Sequence, residues 1–342
     1  MDLLLLGILL VISFLVAFSI GGNDEAMAPA VGAKVFTVRA AVAIGAIITV
    51  LGALTLGSNV SEKVGSDMVS GMEMSIDMVF AILISMSIWL LIASITKGLP
   101  ISTTQCIVGS VIGVAVSAPL FGFSEWGINV VNWNVVLEVF IGWIISPILG
   151  FFFAASVFAV VRRVRKGAKG FKDFEKQERL ASYLLAAFLI LTSLSRGGND
   201  VANAIAPLIG LPDFLGTYDL GFVSIPRFLI PLLVGGIGMA LGLIVVGRRV
   251  IKTLATEVVT LSPSSALSAS ISVSIIMFVG TIWGLPLSGT HVLVAALIAV
   301  GWISETPVQM KQVKEIIASW VVTVPISAIF GMMVLWLIQL LI

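Results

Sequence analysis

Long apolar runs dominate the chain and limit what it can fold into. The runs 79–95, 135–161, 228–246 and 316–342 each contain at most one charged residue. A helix of about 20 apolar residues crosses the ~30 Å hydrocarbon core of a bilayer. Within lipid, a helix satisfies its own backbone hydrogen bonds, and none of these runs shows the alternation of a strand. The sequence therefore predicts an all-α integral membrane protein.

Composition excludes other classes. Hydrophobic residues make up 59% of the chain and charged residues 11%, and the formal net charge of +1 offers no basic surface for nucleic acid. The single cysteine, Cys106, excludes an intrachain disulfide and a Cys-rich metal site. The first run, 3–20, follows Asp2 and lacks the basic start and small-residue cleavage pattern of a signal peptide. We expect it to be retained as a helix.

Four landmarks occur twice, in the same order, which indicates an internal repeat. They are GGNDEAMAPAVG from Gly21 and GGNDVANAIAPLIG from Gly197; LGALTLGSNV from Leu51 and LGLIVVGRRV from Leu241; GLPISTTQ from Gly98 and GLPLSGTH from Gly284; and Glu138, Trp143, Ser146 and Pro147 with Glu315, Trp320, Thr323 and Pro325. We predict two halves, residues 1–161 and 181–342, joined by a basic loop at 162–180.

Charge predicts the topology. Residues 162–179 hold eight of the nineteen basic residues, which by the positive-inside rule places the joining loop in the cytoplasm. Matching connections elsewhere have opposite character: 58–77 is acidic, for example, and its counterpart after Gly247 is basic. This reversal predicts inverted repeats with five crossings each and both termini outside. Counting broken helices separately, we expect ten to twelve transmembrane helices in the cell (inner) membrane.

Two predicted helix breaks introduce hydroxyl-rich segments. Glycine and proline in 98–100 and 284–286 should stop one helix, and the next then begins among polar residues. These are Ser102, Thr103, Thr104 and Gln105 in the first half, and Ser288, Gly289, Thr290 and His291 in the second. Helix N-termini with unpaired N–H groups favour anions, so two such ends could hold one tetrahedral oxyanion. The alternative is that the hydroxyls only cap these helices; recurrence in both halves favours the anion site.

The two Gly-Gly-Asn-Asp segments are candidate cation sites. Glycine favours unwound backbone, and amide and carboxylate oxygens suit sodium. The predicted ligand residues are Gly21, Asn23 and Asp24 in the first copy, and Gly197, Asn199 and Asp200 in the second. Alternatively, Asp24 and Asp200 form buried structural ion pairs with Lys97 or Arg196. Glu25 has Val201 as its counterpart, so we expect it behind the ligands or at the surface. Asn59, matched by Arg249, is a weaker candidate.

The doubled GGND and GLP-Ser-Thr motifs resemble the inorganic phosphate transporter family of cation-coupled symporters. The resemblance spans both halves and implies an inverted-repeat helical fold, phosphate carried inward with sodium or protons, and a site formed by the two motif pairs. The first copies depart most from the family pattern: Gly22 replaces alanine, Glu25 valine, Met27 asparagine and Gln105 histidine. Some sulfate permeases are similar too, so the motif leaves the anion open.

The number of motifs predicts the mechanism. Two GGND copies around one anion site predict two cations per phosphate, which would offset the ~2.3 kcal/mol per charge per 100 mV that an inside-negative potential imposes on an entering anion. Oxygen ligands outnumber the single histidine, which favours sodium over protons, and no resident cofactor is expected. A proton-coupled phosphate transporter and a sulfate or other oxyanion permease are alternatives. Whether the chain works as a monomer or a homodimer is open.

An enzyme and a passive channel fit the sequence less well than a transporter does. A hydrolase using Ser288 and His291 would lack a third orienting acid, and Gln105 stands at the matching position of the other half. A passive anion pore lined by carboxylates would repel the permeant ion.

Overall fold

The computed structural model describes residues 3–65, 68–69, 74–96, 98–123, 125–167, 170–209, 214, 216–219 and 224–341, without the side chains of residues 3, 59, 62–65, 207 and 209. Two sequence expectations, Asn59 as a cation ligand and Lys97 as an ion-pair partner, lie outside the described groups.

Helices make up nearly all of this part of the chain. They are α1 (Leu3–Gly22), α2 (Ala28–Gly32), α3 (Val38–Gly65), α4 (Ile76–Thr96), α5 (Thr103–Ser117), α6 (Trp133–Arg165), α7 (Phe171–Ile209), α8 (Leu229–Gly242), α9 (Arg248–Glu257), α10 (Pro263–Ile282), α11 (Gly289–Ile303) and α12 (Met310–Leu341). A 3₁₀ turn, Ala118–Phe121, extends α5, and a π-helical segment, Leu243–Gly247, joins α8 to α9. A small antiparallel hairpin, β1 (Thr217–Asp219) with β2 (Ser224–Pro226), was not predicted.

The described helices fit a membrane. Nine helical segments are long and apolar enough to cross one, and α11 is a shorter apolar helix. Five of these ten segments come from each predicted half. Helices α6 and α12 expose many large apolar side chains, whereas α5 and α11 are almost wholly buried. The protein is therefore a multi-pass membrane protein, as predicted, with the two short helices in its interior.

The two halves exchange packing partners. Helix α1 packs on α8 while α7 packs on α3; α5 packs on α12 while α11 packs on α6. Glycines allow the closest crossings: a Cβ on Gly21 would lie 1.9 Å from the Met239 carbonyl oxygen, and one on Gly197 would lie 2.4 Å from that of Thr49. Matching helices thus make matching contacts, and neither half forms a separate packed unit.

The joining segment differs from the predicted loop. Helix α6 continues to Arg165 and α7 begins at Phe171, so most of 162–180 is helical. Lys, Arg, Glu and Gln are good helix formers, and the charges of Lys, Arg and Glu are compatible with a helix that extends beyond the apolar layer.

Candidate functional site

Both predicted helix breaks are confirmed. Gly98 and Gly284 have φ of +61° and +67°, the left-handed region that glycine tolerates, and each is followed by Leu-Pro. The next helices are capped by serine: the Ser102 hydroxyl accepts from the Gln105 N–H (3.3 Å) and the Ser288 hydroxyl from the His291 N–H (3.4 Å). Capping, the alternative considered for the hydroxyls, is thus what these two serines do.

The asparagines of the two GGND segments, Asn23 and Asn199, form hydrogen bonds with the helix breaks. The Asn23 amide donates to the Leu99 carbonyl and to Ser94, both at 2.9 Å, and its Oδ1 accepts from the Ile101 N–H at 2.9 Å. The Asn199 amide donates to the Leu285 carbonyl, also at 2.9 Å. Because Leu99 and Leu285 occupy the same place in the two breaks, each GGND segment holds the break of its own half in an equivalent way.

The two GGND backbones nevertheless differ. The first unwinds after Gly22 and re-forms a helix at Ala28, where Pro29 in the first turn favours a new start. The second lies inside the continuous helix α7, so the expectation of unwound backbone is wrong there. Gly197 serves close packing instead, since a side chain would collide with the Thr49 carbonyl. Gly21 makes the equivalent contact with Met239.

A buried ion cluster forms around Arg196, which reaches three carboxylates. Its Nε and Nη2 contact Asp200 Oδ2 at 3.1 and 3.0 Å, and its Nη1 contacts Asp24 Oδ1 at 3.4 Å and donates to Glu25 Oε1. All four side chains are buried. The ion-pair alternative for the two aspartates is therefore present with Arg196. Glu25 is buried in this cluster, so a surface position is wrong for it, whereas a position behind the cation ligands stays a prediction.

Hydroxyls from the breaks join this cluster across the halves. Thr103 Oγ1, in the first half, donates to Asp200 Oδ1 at 3.1 Å, and Thr290 Oγ1, in the second, donates to Glu25 Oε1 at 2.8 Å. The Asn203 amide lies 3.4 Å from the Thr103 hydroxyl. The candidate anion and cation motifs thus converge into one site.

Several buried polar atoms of the site have no hydrogen-bond partner within the described structure. They are Glu25 Oε2, Gln105 Oε1, Asn199 Oδ1, Asn203 Oδ1 and His291 Nε2. Buried polar groups are normally paired, so such a concentration indicates a place where ligands bind. Four of these atoms, on Glu25, Gln105, Asn199 and Asn203, are hard oxygens of the kind sodium prefers. In the described part of the chain, no three His, Cys, Asp or Glu side chains are arranged to hold a metal ion on their own.

Two tryptophans complete the site and were missed by sequence reasoning, although their recurrence was visible. Trp143 Nε1 donates to Thr104 Oγ1 at 3.2 Å, and Trp320 Nε1 donates to the Pro100 carbonyl at 3.2 Å. The rings of Trp320 and His291 lie 4.0 Å apart. Both tryptophans also line a cavity of about 730 Å³ between α5, α6 and α12, in which Gln105 is the one amide side chain among apolar and aromatic residues.

Buried charge, paired helix breaks and helix N-termini that converge inside an apolar bundle define a polytopic membrane transporter. The sequence model of the Phosphate transporter family matches residues 20–331. The chain therefore belongs to the phosphate transporter family, and its family and relatives are transporters rather than enzymes.

Individual proteins agree with this assignment. The chain is 30% identical to a "Putative phosphate permease" of Pyrococcus horikoshii, covering 94% of this chain and 95% of that protein. It is 29% identical to a protein of the same name from Chlamydia muridarum, covering 95% and 96%. A solved structure described as "The sodium-dependent phosphate transporter" is similar over 99% of this chain and 100% of that one, with 28% identity and a TM-score of 0.82.

Proposed function

We propose that the chain is a secondary active symporter that imports inorganic phosphate with sodium, about two sodium ions per phosphate. The charge of the buried cluster carries the proposal. Three carboxylates, on Asp24, Glu25 and Asp200, face the single guanidinium of Arg196, which leaves two negative charges uncompensated when all four groups are ionised. Uncompensated charge inside a membrane protein is costly, so two monovalent cations would complete the cluster. The name of the similar solved structure supports sodium.

Each cation would bind at one GGND copy. In the first, Asp24 and the unwound backbone after Gly22 offer carboxylate and carbonyl oxygens. In the second, Asp200 offers a carboxylate, and Asn199 and Asn203 offer Oδ1 atoms that have no partner among the described residues. Gly21 and Gly197 would contribute by letting the helices approach. Because Asn23 Oδ1 already accepts the Ile101 N–H, we expect the second copy to bind its cation through side chains and the first mainly through backbone.

Phosphate would bind between the N-termini of α5 and α11. The proposed phosphate-binding residues lie in the first helical turns: Thr103, Thr104 and Gln105 on one side, and Gly289, Thr290 and His291 on the other. The N–H groups of Gln105 and His291 donate to the capping serines, so the other N–H groups of these turns and the helix dipole would favour the anion. Ser102 and Ser288 would support the site by holding these turns in place. The neighbouring carboxylates could accept the proton that phosphate keeps at neutral pH, which sulfate lacks.

Alternating access would follow from inverted repeats around this site, with residues 162–180 in the cytoplasm and both termini outside. Two sodium ions with a phosphate dianion form a neutral complex, and with a monoanion a complex of charge +1. The net charge moved in one transport cycle is therefore zero or +1, so an inside-negative potential does not oppose phosphate accumulation, and for the monoanion it favours accumulation by ~2.3 kcal/mol per 100 mV.

Radiolabelled phosphate uptake into proteoliposomes tests the proposal, with the sodium gradient, the pH gradient and the potassium-valinomycin potential imposed separately. We expect uptake to require sodium and to rise with the square of its concentration below saturation. Doubling the inward sodium gradient should raise the equilibrium accumulation of phosphate about fourfold, as two-ion coupling requires.

Each alternative has its own outcome. Uptake driven by a pH gradient without sodium would identify proton coupling, and accumulation that doubles with the sodium gradient would identify one-ion coupling. Sulfate that competes as well as phosphate would identify a general oxyanion permease. Liposomes without protein, and protein with choline replacing sodium, are the controls.

A further inference from the structure

Glu25 and Arg196 are the charged site residues without a counterpart in the other half. Val201 stands at the position that matches Glu25, and Ile20 at the position that matches Arg196. The structure brings these two unmatched residues into direct contact: Arg196 Nη1 donates to Glu25 Oε1, and both side chains are buried. The pair therefore adds to the duplicated site a buried ion pair that the repeat alone does not provide.

Arg196 also contacts the two carboxylates proposed to bind sodium. Asp200 Oδ2 receives both Nε and Nη2 of Arg196, and Asp200 Oδ1 accepts from Thr103. Asp24 Oδ1 accepts from the Ala26 N–H and contacts Nη1. A cation that reaches these oxygens must compete with the guanidinium.

The other neighbour of Arg196 is the start of α11. A Cβ on Gly289 would lie 2.7 Å from Arg196 Nε, so the guanidinium lies directly against the first residue of that helix. The next residue, Thr290, donates to the same Glu25 oxygen that Arg196 contacts. A planar guanidinium binds phosphate through two parallel hydrogen bonds, and helix N-termini favour the same anion.

We propose that Arg196 couples sodium binding to phosphate binding, a role that rests on the proposed sodium–phosphate symport. Sodium ions at Asp24 and Asp200 displace the guanidinium from these carboxylates, and the displaced guanidinium, kept beside α11 by Glu25, binds phosphate. Because such coupling is reciprocal, sodium raises the affinity for phosphate and phosphate raises the affinity for sodium by the same factor.

Binding measurements on purified protein in lipid nanodiscs test this, with ²²Na for sodium and ³²P for inorganic phosphate at constant ionic strength. Arg196→Gln removes the competitor, so we expect sodium without phosphate to bind at least tenfold more tightly, and phosphate at saturating sodium at least tenfold more weakly. Glu25→Gln leaves the guanidinium more strongly held by the aspartates, so we expect at least threefold weaker sodium binding. A merely structural role would weaken sodium binding in both variants.

Two further variants serve as controls. Thr192→Val, one turn before Arg196 on α7, removes a buried hydrogen bond to Ser274 and should leave both affinities within twofold of the wild type. The double variant Glu25→Val with Arg196→Ile carries the residues of the matching positions. It should bind sodium more tightly than the wild type and phosphate at least tenfold more weakly. If Arg196→Gln does not fold, the double variant takes its place in the test.

Unchanged or weaker sodium binding in Arg196→Gln or, where that variant does not fold, in the double variant would overturn the coupling role. So would phosphate affinity equal to that of the wild type. If wild-type protein binds phosphate with no dependence on sodium, the symport proposal fails and the coupling role with it. If the wild type depends on sodium and the arginine variant keeps the same dependence, only the coupling role fails.

Discussion

Replacing the two matching asparagines by alanine should affect stability unequally. Asn23→Ala leaves the Leu99 carbonyl and the Ile101 N–H without partners, and each such group costs about 1–3 kcal/mol. The destabilisation is therefore about 2–6 kcal/mol. Asn199→Ala leaves no backbone group unpaired, because the Leu285 carbonyl also accepts from the Leu287 N–H at 2.8 Å, so the lost hydrogen bond costs about 0.5–1.5 kcal/mol. The same substitution in the two halves should therefore differ by roughly 1–5 kcal/mol.

For sodium affinity we expect the reverse order, with a larger effect for Asn199→Ala than for Asn23→Ala. The Oδ1 atom of Asn199 has no hydrogen-bond partner in the described part of the chain, whereas that of Asn23 accepts from the Ile101 N–H. Removing Asn199 therefore removes a proposed cation ligand, and we expect at least tenfold weaker sodium affinity in Asn199→Ala. Any Asn23→Ala protein that remains folded should lose less.

Thermal unfolding of the purified variants in one detergent, monitored by size-exclusion chromatography, measures the difference in stability between Asn23→Ala and Asn199→Ala. The midpoint of Asn23→Ala should lie several degrees below that of Asn199→Ala. Ser94→Ala is the matched control: it removes one hydrogen bond of Asn23 and leaves no backbone group unpaired, so it should cost about 0.5–1.5 kcal/mol. Equal midpoints for the two asparagine variants, or the opposite order, would refute the reasoning.

Three further predictions address charge, anion and packing. Asp24→Asn and Asp200→Asn keep side-chain volume but remove a charge, so we expect folded protein with at least tenfold less sodium-driven uptake; wild-type uptake in both would contradict the cation role. Thr290→Val removes a hydroxyl that donates to a buried carboxylate and should weaken phosphate affinity about tenfold in the ³²P binding assay, while an unchanged affinity would exclude the hydroxyl from the site. Gly52→Ala would place a Cβ 2.0 Å from a carbonyl oxygen of α7 and should abolish expression of folded protein, whereas Gly7→Ala, with open space around it, should be neutral; a well-folded Gly52→Ala would refute the close approach.

The helix breaks could be predicted because their cause is local. Glycine with positive φ, proline and a capping serine act within a few residues, so Gly98 and Gly284 marked the ends of α4 and α10 reliably. The apolar runs predicted the membrane-spanning helices for the same reason. Both signals depend on neighbours in sequence rather than on neighbours in space.

The rest of the site depends on residues that meet only in the folded protein. Arg196 and Glu25 come from different halves, and neither has a matching residue to draw attention to it. The GGND glycines show a second limit: glycine allows both an unwound turn and a close helix crossing, and the motif alone does not say which it serves. In both copies a glycine packs closely on a partner helix, Gly21 on Met239 and Gly197 on Thr49, but only the first copy unwinds afterwards.

The exchanged packing of the halves delays the completion of the first half during synthesis. Gly109 and Gly113 of α5 lie against the backbone of α12, at Val324 and Ala328. Nearly 200 residues separate these two helices in the chain, which at about 5–20 residues per second corresponds to roughly 10–40 s of translation. Throughout that interval the α4–α5 hairpin, with its polar helix start, is in the membrane without its final partner. Insertion errors and the need for membrane chaperones should therefore concentrate on the first half, even though it emerges first, because only the last helix completes it.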